Sequence, residues 1–136
     1  MRLEITRRAD LATRALLDLL GEGQRTKAVL LAGRLGTTPG FLSQVMTPLV
    51  AKGWVRSDPG PAGGYTASLD PREVDVLQII EAVEGPTETG RCVMEDRACG
   101  RGDLCALHRP WSDARAQLIG ELSATPLSSL IAARPA

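Results

Sequence analysis

The sequence predicts a mainly α-helical fold: a winged helix-turn-helix, then a long C-terminal helix, with a cysteine loop inserted between them. Three observations predict it. Aromatic residues are only 3% of a chain that is 43% apolar, so the core has to come from Leu, Val, Ile and Ala, which favours helices over a β-sandwich. Apolar residues recur at helical spacing over most of the length. One stretch, WVRSDPGPAGGYTASL, breaks that rhythm with two short strands about a Gly/Pro-rich turn.

The elements follow in order. Thr6 or Asp10 suits the cap of a first helix with Leu11, Ala12, Ala15, Leu16, Leu19 and Leu20 inward, ending near Gly21 or Gly23. GEGQR is a polar turn, and TKAVLLAGRLG is a short second helix closed by Gly36. Thr37 or Thr38 caps the third helix, with Pro39 in its first turn. That helix, PGFLSQVMTPLVAKG, turns Phe41, Leu42, Val45, Leu49 and Val50 inward, carries a potential kink at Pro48 and ends at Gly53. WVRS and YTASL pair antiparallel. Asp70 is expected to cap PREVDVLQIIEAVEG, with Val74, Leu77, Ile80 and Val83 on one face. RPWSDARAQLIGELS is the long helix, with Leu107, Trp111, Ala114, Leu118 and Leu122 along one stripe, and TPLSSLIAA is a short last one. Residues 1–70 thus form the helix-turn-helix region, and residues 71–136 hold the loop (about 88–108) and the C-terminal helices, to which the resemblance described below assigns dimerisation.

Length and composition bound the rest. The 136 residues are one domain's worth of material. No apolar run approaches the ~20 residues that cross a bilayer. MRLEITRRADLATRALL lacks a signal-peptide core and cleavage site, so the expected location is cytoplasmic, with no membrane partner. Net charge is zero but unevenly spread: residues 1–65 carry nine Lys/Arg against five Asp/Glu, and residues 66–136 carry seven against eleven. A basic front half suits a polyanion.

In AVLLAGRLGTTPGFLSQVMTPLVAKGWV, Ala32 lets two helices approach and Gly36 makes the turn between them. The second of these helices then offers Thr38, Gly40, Ser43, Gln44 and Thr47 to a major groove, where Gln and Ser can bond base edges. It has no basic residue between Arg34 and Lys52. Phosphate contacts are therefore expected from Arg2, Arg7, Arg8, Lys27, Lys52 and Arg56, with the glycine wing (Gly63, Gly64, Tyr65) lying along the backbone.

RCVMEDRACGRGDLCALH, residues 91–108, holds every cysteine and the only histidine of the chain, as Cys92-x6-Cys99-x5-Cys105-x2-His108. Three is an odd number for a disulfide framework, and clustered thiols in a reducing compartment point to metal or redox chemistry. Gaps of six and five form no Cys-x2-Cys zinc knuckle, and wide spacing with three thiolates suits a larger object such as an iron–sulfur cluster. Glycines at 85, 90, 100 and 102 allow close backbone approach. His108 falls one turn past Cys105 if a helix begins there, and could complete the set.

ITRRADLATRALLDLL, GTTPGFLSQVMTPLVAKGWVRSDPGPAGGY and CVMEDRACGRGDLCALHRPW, in this order, resemble the IscR-type (Rrf-two) transcription regulators, which include NsrR and RirA. The resemblance covers nearly the whole chain. It implies a homodimer paired through the long C-terminal helix on a pseudo-palindromic double-stranded DNA operator. It also implies a cluster on Cys92, Cys99 and Cys105, of 2Fe–2S type with His108 as fourth ligand or of 4Fe–4S type with Asp10 of the partner subunit. Both residues are present. The sequence departs from the family in its wing, where Pro59 replaces an arginine and Ala62 a glycine, and in MTPLVA, which lacks late basic residues. The first cysteine gap is one residue longer than in IscR-like members.

The expectation is a regulator sensing redox state, nitric oxide or iron/cluster status. Two alternatives stay open: a zinc- or thiol-based regulator without a cluster, and a cluster or electron carrier on a helix-turn-helix scaffold. An enzyme is not expected, because no catalytic triad, paired-carboxylate cleft or phosphate-cradling loop is present.

Overall fold

The computed structural model describes residues 2–94 and 105–133. Among them, helices α1 (Arg7–Glu22), α2 (Ala28–Leu35) and α3 (Pro39–Ala51) precede the strands β1 (Val55–Asp58) and β2 (Gly64–Ala67). Helices α4 (Val76–Glu84), α5 (His108–Ser123) and α6 (Leu127–Ala133) complete the order. None of these helices is long and apolar enough to cross a membrane.

Local chemistry sets the first boundaries. The Thr6 side chain accepts the Ala9 N–H at 3.1 Å, and Gly23 closes α1 with a left-handed φ of 68° that a side chain would strain. Gly36 ends α2 in the same way at φ 69°. Two residues on, Thr38 starts α3 by accepting the Phe41 N–H at 3.2 Å. A left-handed residue followed at once by a cap makes the tight turn between α2 and α3. Helix α3 runs through Pro48 to Ala51. An ion-paired bracket holds α2 on α1: Arg34 lies 3.0 Å from Asp18 and 2.6 Å from Glu22.

The wing is an antiparallel pair with Val55 opposite Ala67 and Asp58 opposite Gly64. Backbone bonds help to dock it, since Thr26 and Tyr65 exchange two N–H···O bonds of 2.9 Å. Gly63 and Gly64 make that approach possible. A Cβ on Gly63 would lie 2.0 Å from the Asp58 carbonyl oxygen, and one on Gly64 would lie 2.2 Å from that of Thr26.

One interior serves the whole fold. Leu11, Ala12, Ala15, Leu16 and Leu19 of α1 pack with Leu31, Ala32 and Leu35 of α2 and with Leu42, Val45, Met46 and Leu49 of α3. Val55, Val74, Ile79 and Leu127 join the same cluster, so the second half of the chain contributes to the core of the first. Phe41 and Val50, expected inward, are only half-buried at its edge.

Two expectations are corrected. Asp70 does not cap α4: its carboxylate takes the Arg72 N–H at 2.9 Å and the Arg72 guanidinium at 3.0 Å, which holds it below the usual carboxylate range. The cap is Asp75, whose side chain accepts the Gln78 N–H at 2.8 Å while the Gln78 side chain accepts the Asp75 N–H at 2.9 Å. That reciprocal box satisfies two helix-end donors. The residues before it are drawn into a bridge with the C-terminal segment, Leu127 N–H to the Val74 carbonyl and Val76 N–H to that of Thr125. Second, α2 begins at Ala28 because Thr26 is committed to the wing. Along α5 no residue is fully buried within the chain: Trp111 and Leu122 are half-buried, and Leu118 is 50% exposed.

Candidate DNA interface and ligand cavity

Helix α3 buries Leu42, Val45, Met46 and Leu49, which forces Gly40, Ser43, Gln44 and Thr47 onto the opposite, exposed face together with Thr38 at its start. The hydrogen-bond state of these residues differs. The Thr47 hydroxyl donates to the Ser43 carbonyl at 2.9 Å, so it can accept from a ligand but has no proton left to give. Thr38 is engaged as the cap. Gln44 makes no hydrogen bond among the described residues and keeps both its donor and its acceptor for a base edge.

Cations flank this face. Arg7 lies over the Phe41 ring, 5.7 Å from its centroid, so the start of α1 is stacked beside the start of α3. Arg2, Arg8, Lys27, Lys52 and Arg56 are all exposed. On the wing, Gly63 and Gly64 are buried and Tyr65 is half-buried against the core, so the role visible for these three is to seat the wing. Arg25 escaped the sequence reading. It stands 3.8 Å from Asp58, a wing residue 33 positions away, and only the docked hairpin reveals the pairing.

The second site is a cavity of about 310 Å³ at the start of α5, lined by Cys92, Cys105, His108, Trp111, Arg115 and Glu88 among others. A turn builds it: the His108 N–H donates to the Cys105 carbonyl at 3.0 Å, and α5 then begins at His108 with no side-chain cap on Leu107. The expected placing of His108 one turn past Cys105 is therefore what the backbone produces. On the other wall, the Met94 N–H donates to Cys92 Sγ at 3.4 Å. Glu88 Oε2 and Arg115 Nη1 meet at 2.7 Å and tie the residues before Cys92 to the second turn of α5. The Gly90 N–H bonded to Glu88 holds its carboxyl below the usual range, helped by the positive charge of Arg115 and by His108.

The donor chemistry fits a thiolate-ligated iron–sulfur cluster. Two sulfurs and an imidazole face one space, a backbone N–H points at one sulfur, and an uncapped helix start offers partial positive charge to an anionic group. Cys99 lies outside the described residues, and among the described ones no three His, Cys, Asp or Glu side chains close on a metal ion. Asp10 does not line the cavity of its own chain; it pairs with Arg14 at 3.5 Å on α1.

A helix-turn-helix with a docked wing, an exposed reading helix and flanking cations defines a DNA-binding transcription regulator. Residues 5–133 match the family model Rrf2, described as an iron-dependent transcriptional regulator, and the chain belongs to that family. It is 31% identical over 132 residues to the HTH-type transcriptional regulator ORF2 of Azotobacter vinelandii, spanning 96% of this chain and 80% of that one. It is 30% identical over 131 residues to IscR of Photorhabdus laumondii, spanning 95% and 79%. Among solved structures it is similar to CymR, the global cysteine regulator of B. subtilis, with a TM-score of 0.78 at 23% identity, over 98% of this chain and 100% of that one. IscR of T. potens superposes with a TM-score of 0.73 at 23% identity, over 95% and 86%. These relatives are regulators, and this protein is not an enzyme.

Proposed function

We propose that this regulator acts in the cytoplasm as a homodimer that reads a double-stranded operator and senses redox state, nitric oxide or iron supply through an iron–sulfur cluster. The observation that carries this reading is the convergence of Cys92, Cys105 and His108 on one cavity at the start of α5. Cys92, Cys99 and Cys105 are the thiolate ligands. His108, or Asp10 of the partner subunit, completes the set, for a 2Fe–2S or a 4Fe–4S cluster. A bound cluster supplies an inorganic centre that oxidant or nitric oxide can attack.

The chain's own residues then relay the change. The segment carrying Cys92 is pinned to α5 by Glu88 and Arg115, and His108 is the first residue of that helix. Helix α5 packs on α4, which packs on α1 and α3. A displacement at the cavity therefore bears on both the helix that pairs the subunits and the helix that reads DNA. It alters occupancy only as far as the two ligand states differ in DNA affinity.

Dimerisation through α5 is supported by its unburied apolar stripe and by a groove of about 410 Å³ beside it, walled by Leu3, Ile5, Leu77, Ile80, Leu118 and Leu122. Covering the apolar walls of such a groove on two chains favours pairing.

The test is anaerobic purification followed by iron and sulfide analysis and visible absorption. A coloured protein with iron and acid-labile sulfide is expected. Colourless protein carrying one zinc per chain would defeat the reading. Two thiols on one cavity also suit a thiol switch without a cluster, and that second reading predicts a peroxide-dependent change in DNA binding by iron-free protein.

A further inference from the structure

Asp58 faces two arginines at once. Its Oδ2 lies 3.4 Å from Arg56 Nε and 3.8 Å from Arg25 Nη1. The oxygen is shut away from solvent yet has no hydrogen-bond partner among the described residues, so the three groups attract one another through charge without a bond of good geometry. The carboxylate cannot drift off with them. Asp58 is paired with Gly64 in the wing, and Arg25 precedes Thr26, which is bonded to the wing at Tyr65.

A buried oxygen without hydrogen bonds is a poor partner for two cations, whereas a phosphate group offers each of them short, charge-assisted bonds. Arg25 and Arg56 remain about half exposed or more, within reach of an incoming backbone.

We propose that Asp58 is a built-in competitor for DNA phosphate. In the DNA-free protein it holds Arg25 and Arg56 over the wing, and on DNA these two arginines exchange it for phosphate oxygens. Asp58 thereby sets how tightly, and with what salt dependence, the protein grips any duplex, and leaves base preference to α3. The proposal rests on the wing facing the DNA backbone.

Anisotropy titrations of the full chain on a duplex from its own promoter, and on a scrambled duplex of equal length, test it across a salt series. Asp58→Asn removes one negative charge from the triad. It should tighten both duplexes about five- to tenfold near 100 mM salt and steepen the log–log salt slope by about one. Asp58→Glu keeps the charge and should bind as the wild type does. The gain should vanish in the triple variant Asp58→Asn/Arg25→Gln/Arg56→Gln. An unchanged slope in Asp58→Asn, or a gain that survives in the triple variant, overturns the proposal. Should Asp58→Asn lower the melting temperature, the single variants Arg25→Gln and Arg56→Gln decide instead: each should flatten the slope less than the two together. If neither moves it, the wing is not the phosphate-facing element, and the premise fails separately.

Discussion

Glu88 and Arg115, twenty-seven positions apart in sequence, join at 2.7 Å on the wall of the cavity that holds Cys92, Cys105 and His108. The pair staples the start of the cysteine loop to α5. Because Glu88 has a lowered pKa in the folded chain, its contribution is complete above the unfolded carboxylate value and fades as pH falls through the folded one. The difference in melting temperature between wild type and Glu88→Gln should therefore be constant near neutrality and shrink to nothing in acid. A difference that grows on acidification would contradict the assignment.

Ligand assignment can be read from colour. Cys105→Ala should abolish the iron-dependent absorption. His108→Ala and Asp10→Ala, made separately, should differ, with the true fourth ligand shortening the lifetime of the chromophore in air. Equal lifetimes in both would exclude both residues from the set.

Gln44 is the reading residue expected to matter most, because its amide has no partner among the described residues. Gln44→Ala should weaken operator binding by about 1–3 kcal/mol while leaving the scrambled duplex untouched. A parallel loss on both duplexes would make its role structural.

Subunit pairing should fail when a charge is placed on the exposed stripe of α5. Leu118→Asp is expected to convert the dimer to a monomer by light scattering with the helical circular dichroism retained, since Leu118 is half exposed in the single chain.

Gly64→Ala tests whether the wing glycines act by packing. At φ 151°, with the Thr26 carbonyl oxygen 2.2 Å from the added carbon, the substitution should cost about 2 kcal/mol or more of stability, seen as a lower melting temperature without DNA present. A variant that melts normally but binds poorly would return Gly64 to the DNA contact.

Much of the architecture was legible because short-range chemistry marks it. Thr6 and Gly23, and then Gly36 and Thr38, announce helix ends within a few residues of themselves, and the α1 and α3 faces follow from spacing. Asp70 misled because it is as good a cap as Asp75 in isolation; what favours Asp75 is the bridge from residues 74–76 to residues 125–127. Arg25 was invisible for the same reason, its partner being brought in by the hairpin. In the cavity, Cys92, Cys105 and His108 stood out through their clustering, but Glu88 and Arg115 carry no motif and meet only once α5 has packed.

Val74, Ile79 and Leu127 lie among the same buried side chains as Leu16, Leu42 and Met46. A fragment ending at the wing would lose those three apolar plugs and leave wet gaps beneath α1, so the helix-turn-helix half is not separable from the helices after the wing by cutting. Whatever the cysteines bind, the helices that flank them are also the floor on which α1 and α3 rest.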